Sequence, residues 1–265
     1  MKIETIKTDA LAMQYFRFGT GRKTFVILPG LSVKSVMDFA DAVAEAYKIF
    51  ADGYTVYVFD RRLDLPPVYT VKDMALDTAA AFDALGIKDA CIFGASQGGM
   101  MAQIIAAERP DLVCRTVLGS TSARLDEVHY RLFEHWAQLA DSGNSTELYL
   151  SFAKEIYPQS LFAEYRETLL AAAAGVTEED MRRFAVMARG TKDLDIISLL
   201  PKIKCPVLVL GVAEDQVLGA EASEAIAARL KCPIFMYSGC GHAAYDTAPD
   251  YKEKIFSFFE AENYR

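Results

Sequence analysis

The chain has 265 residues, 52% of them apolar and 24% charged, a balance suited to one globular core with room for an inserted subdomain. Its 36 acidic against 28 basic residues leave a net charge of −8 with no Lys/Arg cluster above that background, which argues against a nucleic-acid or membrane-surface partner. Met1-Lys2-Ile3-Glu4 carries no charged-then-apolar leader pattern, and no apolar run approaches bilayer length, so the expected location is cytoplasmic.

Short β-branched or aromatic runs alternate with longer apolar-periodic ones along most of the chain. Residues 11–18 and 24–28 are expected as a hairpin pair, then a helix over 34–51, a strand at 55–59 and a helix over 71–85 stopped by Gly86. A strand at 90–93, a helix over 98–108 ended before Pro110, and a strand at 116–118 follow. After position 200 come strands at 206–210 and 234–237 and helices over 220–230 and 250–260. Strand, helix, strand in repetition means an α/β fold whose mostly parallel sheet is covered on both faces.

Residues 122–200 break this rhythm. They hold no convincing strand, but Leu125, Val128, Leu132, Phe133, Trp136 and Leu139 recur at helical spacing, and Thr177-Glu178-Glu179-Asp180 resembles a capping box. The expected organisation is therefore a core built from 1–121 and 201–265 with a helical cap insertion at 122–200. Most of the cap's aromatics belong to its own core; Phe133, Trp136 and Tyr157 are the candidates for a substrate pocket, together with Gly30. The five cysteines (Cys91, Cys114, Cys205, Cys232 and Cys240) are odd in number and lack ligand spacing, so they read as buried thiols rather than as disulfides or zinc ligands.

Between two apolar stretches stands Gly94-Ala95-Ser96-Gln97-Gly98-Gly99, a G-x-S-x-G turn placed where a strand hands over to a helix. The backbone doubles back there, so side chains at Gly94 and Gly98 would collide with a neighbouring element, and the Ser96 hydroxyl is aimed out of the sheet. A serine hydroxyl needs a base, and the base needs an acid to hold its tautomer. Of three histidines, His129 and His135 fall on the first helix of the cap, whereas His242 sits in Gly239-Cys240-Gly241-His242, directly after the last strand. Loops at the C-terminal edge of a parallel sheet are where reactive side chains collect. The acid is expected in the loop after 206–210, with Asp215 preferred to Glu214 because it sits further past the strand end.

In this combination the chain resembles the α/β-hydrolase superfamily, as a serine-nucleophile, capped, esterase- or lipase-like member. The resemblance covers nearly the whole length: elbow at Ser96, acid at Asp215, base at His242 in that order, and the 122–200 insertion in the place of the family's cap. It implies an eight-stranded, mostly parallel sheet flanked by helices. Two departures stand out. Where relatives commonly have His-Gly after the third strand, this chain has Leu28-Pro29-Gly30-Leu31; the resemblance then assigns the oxyanion hole to the N–H groups of Leu31 and Gln97. The frequent Asp-x-Arg-Gly-x-Gly loop is replaced by Asp60-Arg61-Arg62-Leu63-Asp64-Leu65-Pro66, without its glycines.

The activity implied is hydrolysis of a small or medium carboxylic ester through an acyl-enzyme, with a small-molecule ester-type partner, no cofactor and no metal, by a monomer or homodimer. A carbon–carbon bond hydrolase, peptidase or perhydrolase on the same three residues remains an alternative, since fold does not fix the bond cleaved. So does a ligand-binding protein without catalysis.

Overall fold

The computed structural model describes residues 1–262. Among them lies one eight-stranded sheet in the order β1-β2-β4-β3-β5-β6-β7-β8. The strands are β1 (Ile3–Lys7), β2 (Ala12–Phe18), β3 (Lys23–Leu28), β4 (Tyr54–Arg62), β5 (Ala90–Ala95), β6 (Val113–Gly119), β7 (Val207–Val212) and β8 (Ile234–Tyr237). β4, β3, β5, β6, β7 and β8 run parallel, while β2 lies antiparallel to both β1 and β4.

The expected hairpin between 11–18 and 24–28 does not form. β2 pairs with β1 and β4, and β3 is inserted between β4 and β5. The Gly19–Gly21 turn, which mimics a hairpin loop, instead folds against the next crossover: Thr20 N–H donates to Ala51 O at 2.9 Å and Gly21 N–H to Tyr54 O at 3.2 Å. The expected helix over 34–51 is also broken, into 3-10 turns at Val36–Phe39 and Lys48–Phe50 around α1 (Ala40–Ala46). The break turns Tyr47 and Phe50 inward, where Phe50 meets Phe25 at a ring separation of 4.5 Å.

Alternation along the strands sends side chains to two cores. Val26, Leu28, Phe59 and Ile92 face α2 (Val71–Leu85) and α3 (Gln97–Glu108), whereas Phe25, Ile27, Val58 and Phe93 face α1 and α11 (Tyr251–Glu260). α2 has the limits its punctuation implies, with a Thr70–Asp73 capping box at one end and Gly86 at φ 69° at the other. From Gln97 to Ala107, α3 is buried on every side, as befits a helix enclosed by the sheet, α2 and the helices beyond.

Between β6 and β7 come α4 (Glu127–Asp141), α5 (Ser145–Ile156), α6 (Gln159–Glu164), α7 (Arg166–Ala173) and α8 (Glu178–Arg189). The ends of this segment are zipped together by Leu125 N–H to Leu194 O (2.9 Å) and Ile196 N–H to Ala123 O (2.8 Å). Its own core is a train of edge-on rings, Phe133, Trp136, Phe152 and Phe184. α9 (Ala220–Leu230) and the short α10 (Ala244–Thr247) complete the chain. No helix among the described residues is long and apolar enough to cross a membrane. The cysteines form no disulfide there; Cys91 alone is buried, and the other four are half-buried rather than buried as expected.

Candidate active site

β5 runs straight into Ser96, whose φ of 50° and ψ of −118° lie in a region that L-residues avoid. Such a conformation costs on the order of 1–3 kcal/mol and persists only where packing imposes it. Two contacts show how. A Cβ on Gly98 would stand 2.0 Å from Leu28 O, and one on Gly94 would stand 2.5 Å from Gly98 O, so neither position admits a side chain. β6 pins the turn from the other side: Ser96 N–H donates to Gly119 O at 2.8 Å and the Thr121 hydroxyl to Ser96 O at 2.7 Å.

The loop after β8 carries His242 to this serine. Gly241, at φ 67°, allows the reversal; a Cβ there would meet Ile156 O at 2.8 Å and Pro158 at 2.9 Å, so the histidine loop is moulded against the end of α5. Ala243 N–H donates to the same Ile156 carbonyl at 2.9 Å. The result places His242 Nε2 2.9 Å from Ser96 Oγ, while Nδ1 lies 2.9 and 2.8 Å from the two oxygens of Asp215.

Asp215 enters from the loop after β7. Its Oδ1 also accepts the N–H groups of Val217 (2.8 Å) and Leu218 (3.0 Å). Burial pushes the Asp215 carboxyl pKa up, yet the neighbouring imidazole and these two amides outweigh it and hold the group below its ordinary value. Asp215 is therefore a carboxylate at neutral pH and can only accept, so Nδ1 of His242 carries the ring proton and Nε2 is free to accept the Ser96 hydroxyl. Glu214 points elsewhere and ties two loops together, its Oε2 accepting Gly239 N–H at 3.0 Å.

On the other side of Ser96 lies the Pro29-Gly30-Leu31 turn after β3. Ser96 Cβ would stand 3.2 Å from a Cβ on Gly30, so this glycine permits the close approach. Neither the Leu31 N–H nor the Gln97 N–H is taken up by a turn or cap among the described residues. Both segments hang on one side chain that sequence reasoning passes over, Arg61 at the end of β4. Its Nη2 donates to Pro29 O and to Gln97 Oε1, each at 2.9 Å, and Gln97 Nε2 donates onward to Met187 O on α8 at 2.8 Å. Arg61 is 3% exposed, and burial lowers its pKa against the opposing pull of Asp60. An arginine two places after an aromatic strand end is the only signal in the sequence, and it reads equally as a solvated loop.

Beside Ser96 lies an open cavity of about 470 Å³, lined by Gly30, Leu31 and Ala95 at one end and by α1, α5 and α10 beyond. Of the expected pocket residues, Gly30 and Tyr157 border it. Phe133 and Trp136 do not: each is 1% exposed, packed edge-on against the other, with Trp136 Nε1 donating to Ser151 Oγ at 3.2 Å. The apolar stripe of α4 faces neighbouring helices rather than a ligand. His129, on the same helix, has its Nδ1 2.8 Å from Asp126, the N-cap residue. Among the described residues no group of three or more His, Cys, Asp or Glu is placed to hold a metal ion.

A family model described as alpha/beta hydrolase family matches residues 17–251. The chain belongs to the alpha/beta hydrolase family. A curated relative, 3-oxoadipate enol-lactonase 2 of Acinetobacter baylyi, is 22% identical over 219 residues, covering 81% of this chain and 80% of its own. Among solved structures, an alpha/beta hydrolase enzyme from a Medee basin deep-sea metagenome library superposes with a TM-score of 0.87 at 21% identity, over 97% of this chain and 98% of its own. A thermophilic esterase from Thermogutta terrifontis does so at 0.79 and 22%, over 98% of each chain.

Proposed function

We propose that the protein is a serine hydrolase that cleaves a small or medium carboxylic ester through an acyl-enzyme, with Ser96 as nucleophile, His242 as general base and Asp215 as the group that orients and stabilises its imidazolium. The observation that carries this reading is the unbroken line from Ser96 Oγ through the His242 ring to Asp215, with every link at 2.8–2.9 Å. Nε2 takes the hydroxyl proton as Oγ bonds to the ester carbonyl carbon, and the carbonyl π pair moves onto oxygen. The Leu31 and Gln97 N–H groups receive that oxyanion. When the tetrahedral carbon collapses, the C–O bond to the leaving alcohol breaks and His242 returns the proton to it; water then repeats the sequence on the acyl-enzyme. Residues 122–200 act here as a cap closing over a core of 1–121 and 201–265. An enol-lactone, the substrate class in the name of the Acinetobacter baylyi relative, is itself a carboxylic ester, so it falls within the same reaction.

A panel of p-nitrophenyl esters of increasing acyl length tests the reading. Wild type is expected to turn over the shorter members, and Ser96→Ala to lose about 10⁶-fold in kcat, as expected when a nucleophile that acts as a unit with its base is removed. Equal turnover by both proteins would end the proposal.

A further inference from the structure

The cavity beside Ser96 has walls that are mostly apolar and aromatic, with Tyr47, Phe93, Tyr149, Phe152, Tyr157 and Tyr245 among them; Ser32 and Lys34 also line it, and one carboxylate, Asp246, opens onto it. Asp246 stands on α10, four residues after His242. The residue is exposed and lines the cavity, and the density of protein around it raises its carboxyl pKa. The adjoining Tyr245 hydroxyl reaches back to the serine end, 3.8 Å from where a Cβ on Gly30 would stand.

What separates the Asp246 carboxylate from the less exposed Asp60, Asp77 and Asp215 is the lack of a partner. Asp60 accepts the Ser35 hydroxyl at 2.5 Å, Asp77 accepts the Tyr69 hydroxyl at 2.8 Å, and Asp215 is held as described. The Asp246 carboxylate has no hydrogen bond or ion pair with any described residue; only the backbone N–H is engaged, donating to Ala243 O at 2.8 Å. The nearby Lys252 ammonium is committed elsewhere: it donates to Tyr245 O at 2.5 Å and lies over the Tyr47 ring at 5.7 Å. Lys34, the cation on the cavity wall, is drawn to Asp38 at 3.4 Å. An unpaired carboxylate that opens onto a cavity with mostly apolar walls is free to take a counter-charge from a ligand. An anionic ligand would be repelled, and a hydrocarbon chain would leave the charge bare. A cationic nitrogen would meet both the carboxylate and the negative faces of the surrounding rings.

We propose that this cavity is a subsite for a cationic nitrogen, and that the protein's substrates are esters bearing an ammonium group on the arm that fills it, with Asp246 as the anion that sets the specificity. That the substrate is an ester rests on the hydrolase reading above; recognition of the cation rests on the cavity alone.

Calorimetric titration with choline and with its neutral carbon isostere, 3,3-dimethyl-1-butanol, tests it. At about pH 7.5, where a carboxyl titrating near 6 is mostly ionised, choline is expected to bind wild type at least about tenfold more tightly than the isostere. The preference should persist in Ser96→Ala and collapse in Asp246→Asn. It should also shrink in wild type as the pH falls to about 5, a readout that needs no variant. The groups facing Asp246 are Lys252 on α11 and Tyr47, Tyr157, Tyr245 and Tyr251; burial raises all four tyrosines further above neutrality. A flat choline titration, equal binding of the two probes to wild type, or an unchanged preference in Asp246→Asn overturns the proposal. Loss of ester turnover with the choline preference intact would instead remove the hydrolase reading and leave the subsite.

Discussion

Asp215, which is buried, and Asp246, which is exposed on the cavity wall, both stand at the C-terminal edge of one sheet, and the protein around each pushes it toward its protonated form. They end on opposite sides of the ordinary value. Asp215, with two amides and an imidazole around it, is held below that value, whereas Asp246, with only the field of Lys252 to oppose burial, is pushed up to about 6. Donors at hydrogen-bond distance, and not depth in the protein, decide which way the pKa moves: the buried acid is held down and the exposed one is pushed up. The first is a charge already satisfied; the second is a charge waiting for a partner.

Removing the charge of Asp215 breaks the comparison most severely. Asp215→Asn offers His242 an amide and reverses the preferred tautomer, so kcat for a p-nitrophenyl ester is expected to fall by about 10⁴-fold. Steady-state kinetics on a variant with wild-type circular dichroism checks this, and a change within tenfold would remove Asp215 from the proposed role. Arg61→Met should come next. It unties Pro29 and Gln97 without touching substrate, so kcat is expected to drop between about tenfold and 10²-fold with KM nearly unchanged. A rise in KM alone would mean that Arg61 shapes the pocket rather than the turn proposed to face the oxyanion.

The smallest effect is on stability and has opposite signs at the two acids. Asp215, ionised more easily folded than unfolded, contributes stability that is present above its unfolded value of 3.8 and is lost as the pH falls through its lower folded value. Asp246 binds its proton more tightly in the fold, so wild type loses stability as the pH rises from about 3.8 through about 6. Asp246→Asn should therefore melt higher than wild type above pH 6 and lose that advantage near pH 4. Melting curves across that range check it; a variant less stable at every pH would show that Asp246 has a partner.

Much of this is legible in the sequence wherever the determining interaction is local. The limits of α2 follow from Thr70, Asp73 and Gly86, and the meeting of Ser96, Asp215 and His242 follows from each standing just past a parallel strand. Pairing across the sheet is not local, and so β2 and β3 read as a hairpin although β2 joins β4. β1, with Glu4 and Lys7 among its five residues, gives too weak an alternation to stand out as an edge strand. Phe133 and Trp136 form a stripe that looks the same whether a ligand or α8 lies opposite. Arg61 and Asp246 are harder still. A buried charge and a solvated one are the same letter, and only three-dimensional surroundings tell them apart.

Whether Ser96 is the nucleophile is decided by a serine-directed fluorophosphonate followed by peptide mass analysis. One phosphonyl adduct is expected, located on Ser96 and formed far more slowly in His242→Ala. A folded protein that takes up no label, or takes it up at another residue, would contradict the proposed chemistry.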